Sequence, residues 1–136
     1  MQTRRWTNPS LPQTLQIAMI LLYLDCVFGL LGLFGANYSQ YFLQIKLHMA
    51  AGLASLLVKA LFLGLGVAAY GIANEKKWAY VLALVLTCID ALLLVWGVGG
   101  LFRLLRYAPL SALFAGARVA LLIHPMSRNH QRIWFK

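Results

Sequence analysis

Two carboxylates in this chain stand where a carboxylate is costly. Asp25 lies inside LQIAMILLYLDCVFGLLGLF and Asp90 inside WAYVLALVLTCIDALLLVWGVGG, both otherwise apolar runs. In hydrocarbon such a group costs about 2.5–3.5 kcal/mol on insertion scales, so it must face protein or water and find a partner. Two bases sit in comparable surroundings, Lys59 in HMAAGLASLLVKALFLGLGVAAYGI and Arg118 in PLSALFAGARVALLI. The chain has only 3 acidic residues, and placing two of them in apolar runs does nothing for solubility. Two kinds of chemistry suit such a quartet. Opposite charges can form interhelical ion pairs, or the aspartates can carry protons or cations.

The elements that would hold these side chains follow from composition. The chain has 136 residues, 62% hydrophobic and 11% charged, more apolar surface than a soluble domain of this size can hide. Its apolar runs are continuous rather than alternating, which argues against a β-barrel. About 20 apolar residues in helix cross a hydrocarbon core of roughly 30 Å. The expectation is therefore an all-α polytopic membrane protein, a single domain over 1–136 built as a four-transmembrane-helix bundle. The helices are expected at about 12–34, 48–72, 78–100 and 109–123. Ser10 to Gln13 has capping-box spacing with Pro12 in the first turn, Gly99 and Gly100 close the third helix, and Pro125 after His124 ends the fourth. Residues 36–47, rich in Tyr, Gln and Asn, form an interfacial turn of helix or an early start of the second span. Leu101–Tyr107 is basic and amphipathic and belongs at the surface.

Small residues mark the faces on which helices meet. Asp25 shares its face with Ala18, Gly29 and Gly32, and Asp90 with Ala83 and Gly97. Lys59 is in line with Ala51 and Ser55, and Arg118 with Ser111 and Ala115. Ala60, Gly64 and Ala68 recur every fourth residue and add a further small-residue face. All four charges are thus expected to point at neighbouring helices. The two acid-bearing runs also align with each other. Asp25 with Asp90, Gly32 with Gly97 and Gly35 with Gly100 share one offset of 65 residues, which suggests a tandem repeat of two helical hairpins about an axis along the membrane normal.

The net charge of +9 does not indicate a nucleic-acid partner, because the bases other than Lys59 and Arg118 are spread along chain ends and loops between apolar runs. Arg4, Arg5, Lys76, Lys77, Arg128, Arg132 and Lys136 fall on one side, against Lys46, Arg103 and Arg106 on the other. That bias places both termini in the cytoplasm. Arg4 and Arg5 resemble the start of a signal peptide, but no small-x-small site closes the run behind them, so the first helix is read as retained. The basic, aromatic tail offers Arg128, Arg132, Trp134 and Phe135 for docking to lipid or a partner.

No metal or cofactor site is assembled. Cys26 and Cys88 lie in apolar runs without a CxxC pattern and read as structural thiols. His48 and His124 fall at opposite ends of their helices, too far apart to hold one haem, though either could touch a partner's cofactor. The layout, four short helices with an acid in the first, resembles that of small multidrug exporters. Those proteins use a glutamate in a patterned first helix, where this chain has Leu24-Asp25-Cys26, and Lys59 and Arg118 would compete with a cationic drug, so the export function is not implied. With so little chain outside the apolar runs, the expectation is a non-enzymatic accessory or structural subunit of a bacterial inner-membrane complex, contacting lipids and other integral subunits or itself. The alternative is a homo-oligomeric proton- or cation-coupled transporter or channel using Asp25 and Asp90.

Overall fold

A computed structural model describes residues 4–32 and 36–136, without the side chains of residues 36 and 37. Within that span the chain is helical and contains no strand. The helices are α1 (Gln13–Leu30), α2 (Ala36–Tyr41), α3 (Ala51–Ala73), α4 (Lys77–Val98), α5 (Leu101–Tyr107), α6 (Pro109–Ile123) and α7 (Pro125–Trp134), with a π-helical turn over Phe42–Lys46. Three of them, α1, α3 and α4, are long and apolar enough to cross a membrane. Helices α5 and α6 together pass the same test but are bent by 119° at their junction, so there are up to four candidate spans. Leu33 and Phe34 of the expected first helix, and Gly35 of the internal alignment, lie outside the described residues.

Local chemistry sets the helix ends. Pro12 precedes α1, where it has no N–H to leave unpaired. Ser10 does not cap that helix as its spacing suggested. Its backbone N–H and hydroxyl instead donate to the Asn8 side-chain oxygen, at 3.0 and 2.5 Å, closing a local turn. Gly99 ends α4 at φ +93°, and the N–H groups of Gly99 and Gly100 return to Val95 and Trp96 carbonyls. The breaks at Ala108-Pro109 and His124-Pro125 each put a non-helical residue before a proline. The proline ring crowds the preceding residue out of the helical region, yet fits the first turn of the next helix. Pro125 therefore ends α6 and also opens α7. His124 caps the new helix, its Nδ1 accepting from the Met126 N–H at 3.2 Å.

Helix α1 packs against α3 and α6, and α4 packs against α3 and α6 as well. Leu15, Leu22, Leu65, Ile72 and Leu122 fill the centre and are fully buried. The opposite faces are apolar and exposed: Ile17, Ile20 and Val27 on α1, Leu56, Leu63 and Val67 on α3, and Val81, Val85 and Leu92 on α4. Apolar side chains on both faces of a helix are what a lipid-exposed span requires. Glycine permits the closest approaches. The Phe62 ring of α3 occupies the space a Cβ on Gly29 of α1 would need, Leu86 of α4 covers Gly64, and the Tyr38 backbone lies on Gly97.

The turn between α3 and α4 gathers both ends of the chain. Asn74 exchanges hydrogen bonds with the Arg5 backbone at 3.1 and 2.9 Å, and the Asn8 amide donates to the Ala73 carbonyl at 3.1 Å. From the C-terminus, the Lys136 N–H donates to the Glu75 carbonyl at 2.8 Å and the Lys77 N–H donates to the Lys136 carbonyl at 3.0 Å. Phe135 is buried edge-on against Tyr80.

Candidate functional site: a buried charge triad

The apolar pattern of each helix decides which polar residue is drawn inward. On α1 the buried residues are Leu15, Ala18, Met19, Leu22, Asp25 and Gly29, a stripe at spacings of three and four that carries the aspartate with it. On α4 the stripe is Ala79, Tyr80, Ala83, Thr87, Asp90 and Leu94. On α6 it is Ser111, Ala115, Arg118 and Leu122. Because α6 packs against both α1 and α4, Arg118 arrives between the two acids.

Its guanidinium is used on three sides. Nη1 lies 2.5 Å from Asp25 Oδ2 and Nη2 lies 2.9 Å from Asp90 Oδ2. Nε donates back to the Phe114 carbonyl one turn earlier on the same helix, at 3.3 Å. That last bond orients the fork, so the two Nη groups diverge toward different helices. The Asp90 contact is an aligned hydrogen bond. The Asp25 contact is closer but off the ideal hydrogen-bond direction, so its attraction is chiefly between charges. Arg118 is 3% exposed, Asp25 8% and Asp90 5%, hence all three are removed from lipid and bulk water alike. With both carboxylates ionised the triad carries one negative charge in excess.

No family model, curated protein or solved structure matches this chain. The function must therefore be argued from the site itself.

Lys59 does not join the triad. It is exposed, with no carboxylate in ion-pair range among the described residues. Helix α3 turns a different stripe inward, Ala54, Val58, Phe62, Leu65, Ala68 and Ile72, in which large apolar side chains replace the small-residue face assigned to Lys59. Ala51 and Ala60 are exposed for the same reason, so the face of Ala60, Gly64 and Ala68 is not one continuous seam. The internal alignment points the same way. An offset of 65 residues relates Asp25 to Asp90, but it sets Arg118 against Leu53 and Lys59 against His124.

Other expected residues are divided. Ala68 is buried, and Gly29, Gly64 and Gly97 each have a neighbour where a Cβ would stand. Gly32 instead follows the end of α1 at φ +74° and serves the turn. In the tail Arg128, Arg132 and Trp134 are exposed, whereas Phe135 is 3% exposed. Phe135 is thus spent on the protein's own core, against Tyr80 and His130, and is not free to dock elsewhere. Sequence reading missed Tyr80, whose hydroxyl donates to the Leu122 carbonyl at the end of α6. A lone tyrosine near the start of an apolar run gave no signal for this role.

Proposed function

We propose that the chain is a non-enzymatic integral membrane subunit, a bundle of four spans (α1, α3, α4 and the α5–α6 pair) clamped by the Asp25–Arg118–Asp90 triad. It works through contacts with other integral subunits or with copies of itself in a bacterial cytoplasmic membrane, both termini in the cytoplasm. Its tandem character is confined to the acid-bearing helices. The observation that supports this is the placement of Arg118 between two acids on different helices. One buried guanidinium engages two helices besides its own, which makes the triad a static tie. A tie of this kind fixes which helices are neighbours and in which register.

The test is extraction from the native membrane in mild detergent, followed by native mass measurement. The expected result is a fixed stoichiometry, either a multiple of the 15.2 kDa chain or a complex with another integral subunit. A monomer would overturn it.

The excess carboxylate favours a second reading. Two acids against one base leave a site that one proton or one cation would neutralise, as in a proton- or cation-coupled transporter. Proton or cation flux in liposomes that is lost in Asp25→Asn or Asp90→Asn would establish this reading in place of the first.

A further inference from the structure

We infer that the cleft between α7 and the neighbouring ends of α4 and α6 is a binding site for one anionic phospholipid, its phosphate held by Arg128 and Arg132. The inference rests on the membrane reading above and adds a particular ligand class at a particular place. The cleft has a volume of about 630 Å³ and two unlike halves. Arg128 and Arg132 stand four residues apart on α7, one helical turn, with Asn129 and Gln131 beside them. Below them lie Tyr80, Leu84, Ile123 and Pro125, a wall without charge. Val81 and Val85 of α4 continue outward as exposed apolar surface. A ligand that satisfies both halves carries negative charge at one end and hydrocarbon at the other.

Neither arginine is already engaged. Among the described residues no carboxylate lies within ion-pair distance of Arg128 or Arg132. Glu75, the one acid outside the apolar runs, faces His130 at 4.0 Å. The whole end is basic, because the hydrogen bonds of the α3–α4 turn bring Arg5 and Lys136 to Lys76 and Lys77. Met126, Ile133, Trp134 and Trp78 are more than half exposed around it, which suits the headgroup layer, where indole rings and bases concentrate. Two guanidinia one turn apart match the oxygens of a phosphate diester.

The test is native mass spectrometry of the full chain in micelles, titrated with phosphatidylglycerol, with phosphatidylcholine, and with glycerol phosphate as the headgroup alone. Carbonate washing of the membranes comes first. A chain released by carbonate fails the membrane reading itself, whereas an integral chain without lipid preference fails only this inference. The wild type should retain one phosphatidylglycerol in preference to phosphatidylcholine, with no competition from glycerol phosphate. R128Q/R132Q should weaken retention roughly 25-fold, about fivefold for each base near a charged surface. R4Q/R5Q, which removes the same charge from the same end, should keep most of it. Equal loss in the two double variants, equal retention of both lipids, or displacement by glycerol phosphate would each overturn the inference. Should R128Q/R132Q fail to fold, R128Q and R132Q singly decide: about fivefold loss in each supports the site, and unchanged retention in both overturns it.

Discussion

Three side chains carry opposite risks when altered. Removing Arg118 leaves Asp25 and Asp90 buried together with nothing between them. Breaking a buried ion pair from one side costs about 3–5 kcal/mol, and Arg118→Met should show that loss as a lowered unfolding midpoint in detergent. Neutralising one acid is different. Asp25→Asn leaves a guanidinium matched to one carboxylate, so the net charge of the triad falls to zero and the cost should stay below about 1.5 kcal/mol. Asp90→Asn should cost more than Asp25→Asn, since only the Asp90 contact is an aligned hydrogen bond. The ranking Arg118→Met, then Asp90→Asn, then Asp25→Asn is checked on one set of thermal curves. Glycines divide in the same way. Gly29→Ala drives a methyl into the Phe62 ring and should cost about 1–3 kcal/mol. Gly116→Ala meets nothing and should be neutral or gain up to about 1 kcal/mol of helix propensity.

At the scale of the element, α7 is the part the chain could most easily lose. It is polar and short, with exposed Arg128, Arg132 and Trp134, and isolated helices of its length are marginal in water. Its hold on the molecule is a few contacts: the Ser127 hydroxyl to Thr14 and to the Leu121 carbonyl, at 2.8 and 2.6 Å, Phe135 against Tyr80, and the Lys136 backbone bonded to Glu75 and Lys77. Phe135→Ala removes the largest of these. At about 3 kcal/mol for a buried aromatic, the open state of the tail should rise roughly a hundredfold. Trypsin cleavage after Arg128 and Arg132 would report this, with the long apolar helices unaffected. The C-terminal end of α4 has a separate weakness. Gly99 holds φ +93°, where any side chain adds strain of about 1–2 kcal/mol, so Gly99→Ala should loosen the α4–α5 junction and leave α7 in place.

For the whole molecule, the turn between α3 and α4 fixes how the ends are arranged. Arg5 and Lys136 are both bonded to it, so these two residues share one end with Lys76 and Lys77. Phe102, 91% exposed on α5, stands on the same short helix as Arg103 and Arg106, the bases assigned to the opposite side. Single-cysteine variants in a background lacking Cys26 and Cys88 test this. A membrane-impermeant maleimide applied to intact cells should label Phe102→Cys and spare Trp134→Cys and Arg4→Cys; labelling of all three, or the reverse pattern, contradicts the proposed topology.

The sequence by itself determined the solvent and the class of element. Continuous apolar runs leave helices as the answer, because a backbone surrounded by hydrocarbon must satisfy its own hydrogen bonds. It also called for partners for Asp25, Lys59, Asp90 and Arg118, since stranded charge is costly wherever the helices go; three of the four have them and Lys59 is exposed instead. Periodicity along one helix could not say which stripe meets a neighbour when both faces are apolar, and so it could not separate Arg118, drawn between two acids, from Lys59, left outside. Nor could it show that Pro125 opens a helix as well as closing one, or that Phe135 folds back onto Tyr80. Those outcomes depend on contacts between segments far apart in the chain, and only the tertiary packing of α6 against both α1 and α4 decided them.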